Sequence, residues 1–137
     1  MESMKSLEQL VTYYYQEDNN CAETLIKAAN DYYQLDIEPN DCKLASGFGG
    51  GMFSGLACGA LCASIMAISK KVIETKAHQQ LDDFKPLIQY YVKTFEQELG
   101  GINCSDVKEK HHTKETKCLN TCLLAAKVLE KTMEQAV

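Results

Sequence analysis

Apolar residues recur at three- and four-residue spacing over most of the chain, and strict alternation is almost absent. That pattern predicts an all-α fold. Residues 4–17 place Leu7, Leu10, Val11 and Tyr14 on one face. Asn19-Asn20 interrupts the pattern and can cap a second helix, whose stripe is Ala22, Leu25, Ile26, Ala29 and Tyr33. Glu38-Pro39-Asn40-Asp41 predicts a turn opening a short helix through Ala45, with proline where its missing N–H costs nothing. Between Gly47 and Gly51 only Phe48 is not glycine. At about 1 kcal/mol per glycine in a helix interior, this stretch reads as a loop. From Leu56 to Ile68 the residues are small or apolar on every side, the signature of a central buried helix. Lys70 and Lys71 suit its C-terminus. Residues 77–99 carry Leu81, Phe84, Leu87, Ile88, Tyr91, Val92, Phe95 and Leu99, with Gly100-Gly101 as the stop. Pro86, inside that run, either kinks the helix or marks its first turn. Residues 105–117 are polar and predict a solvated loop, and a last helix over about 115–135 carries Cys118, Cys122, Ala125, Leu129 and Met133. The expectation is a compact bundle of about six helices around a glycine-rich loop and a buried helix, in one domain spanning 1–137.

Composition sharpens this picture in two places. The chain of 137 residues has 14 Lys plus Arg against 19 Asp plus Glu, a net charge of −5. That balance lacks the basic footprint of a nucleic-acid or anionic-membrane binder. The start of the chain lacks a signal-peptide core, and no apolar run approaches the ~18 residues of a membrane span. A cytoplasmic location is therefore expected, where thiols are kept reduced. Against that background, seven cysteines are the outstanding feature, and an odd number cannot all pair within one chain.

Cys21 follows a helix cap, Cys58 opens the buried helix, and Cys104 follows a Gly-Gly break. Helix N-termini present unpaired N–H groups and a favourable dipole, so these positions are expected to hold thiolates of lowered pKa. A single buried cysteine is most often plain core filling; three such placements together argue for chemistry. Cys58/Cys62 and Cys118/Cys122 are each four residues apart, which on a helix sets Cβ atoms about 5–6 Å apart. A disulfide needs about 3.5–4.5 Å, so each pair could share a metal or cluster or face partners on other helices, the plain alternative being that Cys62 and Cys122 only fill core positions. Neither matches a Cys-x-x-Cys motif. The glycine run lacks the Gly-Lys-Ser/Thr of a P-loop, and Met52 stands where a dinucleotide fingerprint needs glycine. Its better use is close backbone approach to sulfur, with N–H groups aimed at it; plain helix packing is the alternative. His111 and His112 lie among lysines, and they and His78 read as solvated rather than metal-ligating, as do Asp82 and Asp83.

Several blocks together resemble a known family: Asn20-Cys21-Ala22-Glu23, Gly47-Phe48-Gly49-Gly50-Gly51-Met52, Cys58-Gly59-Ala60, Gly101-Ile102-Asn103-Cys104, and Cys118 with Ala125-Ala126 behind it. They are similar to the C-GCAxxG-C-C family, bacterial and archaeal proteins regarded as redox-active. The resemblance places the family's four cysteines on Cys21, Cys58, Cys104 and Cys118. It leaves Cys42, Cys62 and Cys122 as extras, and puts Ala63 where the motif ends in glycine. It implies redox or cluster chemistry without naming a reaction. Three functions stay open. The first is thiol/disulfide redox or electron transfer, with Cys58 as the reactive thiolate and Cys21, Cys104 or Cys118 resolving it. The second is an iron–sulfur or zinc site on those four cysteines. The third is a helical interaction module without chemistry. In the first two, Gly49, Gly50, Gly51 and Gly59 would let backbone reach the sulfur or a cofactor. The expected partner is a redox partner, with a homodimer also open.

Overall fold

The structure, a computed structural model, describes residues 5–136. Its α-helices are α1 (Leu7–Gln16), α2 (Cys21–Tyr33), α3 (Gly59–Val72), α4 (Leu81–Leu99), α5 (Cys104–His111) and α6 (Leu119–Gln135). Among the described residues there are two isolated β-bridges and no strand. The expected first helix began at residue 4, which lies outside the described residues.

The helix starts are set by side chains the sequence displays. Ser6 and Gln9 form a capping box on α1. Asn20 and Glu23 form another on α2: Asn20 Oδ1 accepts the Glu23 N–H at 2.9 Å, and Glu23 Oε1 accepts the Asn20 N–H at 2.9 Å. The second box also holds the segment that follows α2. Glu23 Oε2 accepts the Ser46 hydroxyl at 2.7 Å, and Asn20 Nδ2 donates to the Ser46 carbonyl at 3.1 Å. Asn20→Ala is therefore expected to cost about 2 kcal/mol, at the upper end for a cap, because two elements lose their tie. Urea unfolding measures it.

α2 packs most extensively on α3, and α1 and α6 close the remaining sides. Close approach is possible because the facing positions are small: Ala22, Ala28 and Ala29 on α2, and Gly59, Ala60, Ala63, Ser64 and Ala67 on α3, are buried. Ala63 is fully enclosed. α4 contributes the largest core side chains, Tyr91 and Phe95, and the Tyr91 hydroxyl donates to the Ala125 carbonyl of α6 at 3.3 Å. Pro86 lies within α4, beyond its first turn.

Three expectations are corrected. The short helix after Pro39 is a 3-10 helix that runs on through Phe48, into the glycine run. The buried helix starts at Gly59, later than Leu56, because Leu56–Cys58 is extended and paired with another segment. The polar stretch after Gly101 forms α5 instead of a loop. Its single buried anchor is Val107, too little apolar surface to show as a periodic pattern, while Asp106 in its first turn and Lys108, Lys110 and His111 in its last suit the helix dipole. His111 Nε2 lies 2.8 Å from the Leu99 carbonyl at the end of α4, so this histidine is structural. His78 and His112 are exposed.

The seam between α1 and α6 is acidic. Burial first, then the neighbouring Glu8 and Glu134 carboxyls, pushes Glu130 up to about 7, with Lys127 opposing. Its unfolded value is 4.5, so the folded state binds more protons between the two. Stability is thus expected to fall as pH rises from 4.5 to about 7, by roughly 1 kcal/mol after solvent screening. Glu130→Gln should flatten that slope in thermal melts.

Candidate functional site

All four family-motif cysteines stand at helix N-termini. Cys21 is the first residue of α2, Cys58 the N-cap of α3, Cys104 the first residue of α5 and Cys118 the N-cap of α6. All seven cysteines are free thiols. Cys21, Cys42, Cys58 and Cys122 are buried, and Cys62, Cys104 and Cys118 half-buried.

Three devices bring the sulfurs together. The first is a short antiparallel clasp. The Cys58 N–H donates to the Ile102 carbonyl at 2.8 Å, and the Cys104 N–H donates to the Leu56 carbonyl at 2.6 Å, with Ala57 opposite Asn103. Cys58 and Cys104 become diagonal neighbours on one side of that pair. The second is glycine. A Cβ on Gly59 would sit 2.7 Å from the Cys21 sulfur and 2.6 Å from the Phe48 carbonyl oxygen, so the sulfur of α2 rests directly on the first turn of α3. A Cβ on Gly51 would meet the Leu56 carbonyl oxygen at 2.3 Å and Cys104 Cβ at 2.8 Å. The third is Tyr15 of α1, whose hydroxyl accepts the Cys118 N–H at 2.9 Å and faces that sulfur.

Gly50, Gly51, Met52 and Phe53 form a left-handed turn with φ of 62°, 62°, 62° and 54°. The two non-glycine residues in it are each strained by about 1–2 kcal/mol. The turn leaves Phe53 79% exposed and packs Gly51 against Cys104, while Gly55, just after it, lies against Ser105. Gly49 plays a different part. It lies against the Asn20 side chain, so it fixes the α2 cap rather than touching sulfur.

Cys21 is the hub. Its charge is felt at Cys58, Cys62, Cys118 and Cys122, and it feels that of Cys104. Cys42 lies apart, beside Lys27, Asp31 and Asp41. The N–H groups of Gly50, Ala22 and Ala60 face the Cys21 sulfur. Those of Leu61 and Ala60 face the Cys58 sulfur, without closing a capping hydrogen bond. One N–H, that of Ala60, is therefore shared by both.

For Cys21 and Cys58 the expectation of lowered thiol pKa does not survive burial. Desolvation, and then the neighbouring Cys21, pushes Cys58 up to about 12, against the pull of the Leu61 and Ala60 N–H groups. Burial also raises Cys21 and Cys118, and Cys122 lies well above its ordinary value. Lys108 lowers Cys118 without reversing the effect of burial. The helix N-termini are as expected, but enclosure outweighs them. Burial thus opposes at Cys58 the lowered pKa expected from its position at a helix N-terminus.

Among the described residues, no three His, Cys, Asp or Glu side chains are placed to hold one metal ion. No helix of the described residues is long and apolar enough to cross a membrane. Sequence reading missed Tyr15 and the electrostatic influence of Cys21 on Cys62 and Cys122. The four-residue spacings put the two cysteines on the right helix faces but could not say what those faces meet.

The fold and the site define an all-α protein with a cluster of free thiols at converging helix N-termini. The chain belongs to the family described as "Putative redox-active protein (C_GCAxxG_C_C)", whose model matches residues 19–132. No curated protein and no solved structure matches the chain.

Proposed function

We propose that the protein carries out thiol–disulfide exchange, with Cys21 and Cys58 as the buried pair and half-buried Cys104 as the thiol that meets the external partner. The sharing of the Ala60 N–H by the Cys21 and Cys58 sulfurs carries this reading. The same N–H supports whichever sulfur is the thiolate at a given moment. Cys104 attacks a disulfide-bearing partner and forms a mixed disulfide, releasing the partner's first thiol. The Cys21 thiolate then attacks the Cys104 sulfur of the mixed disulfide, the Cys21–Cys104 bond forms, and the partner's second sulfur leaves as thiolate. Cys58 attacks the Cys21 sulfur in turn, Cys104 leaves as thiolate, and a Cys21–Cys58 disulfide remains. In sum, two protein thiols lose two electrons and two protons, and one external disulfide becomes two thiols.

The strained turn bearing Met52 and Phe53 flanks Cys104 and supports a protein partner over a bare small molecule. A second reading, a four-thiolate iron–sulfur or zinc site on Cys21, Cys58, Cys104 and Cys118, is favoured by the N–H groups facing sulfur. Those groups would stabilise charged sulfur. The described side chains would have to draw inward to hold an ion.

The test is peptide mapping after titration with oxidised glutathione under anaerobic conditions, alongside iron, zinc and acid-labile sulfide analysis. A first-formed disulfide among Cys21, Cys58, Cys104 and Cys118, with Cys42 free throughout, is the expected result. Thiols that stay reduced while stoichiometric iron and sulfide are recovered would move the function to the second reading.

A further inference from the structure

We infer that Cys62, outside the family's four cysteines, is a further redox thiol of this site: it exchanges with Cys21 and brings the disulfide to a half-exposed position on α3. The inference rests on the thiol–disulfide reading above and adds a second outlet to it.

The geometry starts at Gly59. The Cys21 sulfur occupies the space where a Gly59 Cβ would be, 2.7 Å from that point. Cys62 follows three residues later on the same helix face, where Cβ positions are about 5–6 Å apart. Its Cα–Cβ bond tilts toward the helix N-terminus, so its thiol leans back over the turn on which the Cys21 sulfur lies. The turn is closed, with the Cys62 N–H donating to the Cys58 carbonyl at 3.0 Å. Cys21 therefore has two thiols of one helix within reach, Cys58 at the cap and Cys62 one turn in.

The two differ in access. Cys58 is 3% exposed and Cys21 is 9% exposed, whereas Cys62 is half-buried. One turn further along the same face, Ile65 and Met66 line a cavity of about 830 Å³, so this side of α3 is open. Cys21 is also the one thiol whose charge bears on Cys62 among the described residues.

The exchange balances without a co-reactant. The Cys62 thiolate attacks the Cys21 sulfur of the Cys21–Cys58 disulfide. The Cys21–Cys62 bond forms and the Cys21–Cys58 bond breaks. Cys58 leaves as thiolate and takes up the proton that Cys62 gave. An external dithiol then reduces Cys21–Cys62, losing two electrons and two protons as it closes to its own disulfide and restoring both protein thiols.

The experiment uses the full chain, oxidised with one equivalent of oxidised glutathione, acid-quenched over time, alkylated and mapped by mass spectrometry. The expected result is a Cys21–Cys62 linked peptide that grows after Cys21–Cys58 and becomes the main product in Cys58→Ser. Complete alkylation of Cys62 at every time point, while disulfides form among Cys21, Cys58 and Cys104, would overturn the inference and leave the proposed function standing. Absence of any disulfide at the family cysteines would overturn both. The wild-type map needs no variant, so a misfolded mutant cannot mimic either result.

Discussion

Serine at position 21 is expected to abolish every disulfide made through Cys21 and to slow intramolecular oxidation of the cluster more than any other single thiol replacement. The reason is positional. Cys21 interacts with Cys58, Cys62, Cys104, Cys118 and Cys122, more of the other thiols than any other cysteine does, whereas Cys58 with Cys104 and Cys104 with Cys118 remain as direct pairs without it. The hydroxyl nearly matches the thiol in volume, and the Ala22, Ala60 and Gly50 N–H groups facing the sulfur can donate to it. The fold should therefore survive with at most about 1 kcal/mol lost. Cys42→Ser is the contrast, since Cys42 sits among Lys27, Asp31 and Asp41 and should leave oxidation unchanged. Thiol titration after graded oxidation separates the two. An unchanged oxidation rate in Cys21→Ser would show that the cluster has no hub.

The largest stability effect is expected at Gly51. Alanine there must adopt φ near +62° and bring its Cβ to 2.3 Å from a backbone oxygen that is itself bonded to the Cys104 N–H. The left-handed conformation alone costs about 1–2 kcal/mol. The clash forces Leu56 or Cys104 to move, so a total of about 3 kcal/mol and a melting temperature lower by on the order of 10 °C are expected. Gly47→Ala is the matched control. A Cβ there meets nothing within 4 Å. Its effect should stay within about 0.5 kcal/mol, and thermal unfolding of the pair checks both.

Much of the fold is legible because burial writes itself into spacing. The stripes of α1, α2 and α4 are regular, Asn20 announces a cap, and the Gly100 stop is where it should be. α5 is illegible for the opposite reason, since one buried valine leaves no period. At the site, the helix N-terminal positions of Cys21, Cys58 and Cys104 can be read from caps and glycines. Their pKa direction cannot, because it turns on how much solvent the other helices exclude, and that is a property of packing. The clasp between Leu56 and Cys104 is equally hidden. It is a pairing of backbones, blind to side-chain type, between segments that share no sequence pattern.

That clasp and the Tyr15–Cys118 bond also bear on the order in which the molecule is built. Tyr15 and Cys118 are 103 residues apart in sequence. Contacts of such separation form late, after the loops between them have closed. Cys58 cannot lie beside Cys104 before α4 has folded back, and Cys118 cannot join them before α6 docks. While the chain is still being assembled, the native sulfur neighbours are held apart by incomplete topology, and the thiol cluster exists only once the last helix has docked.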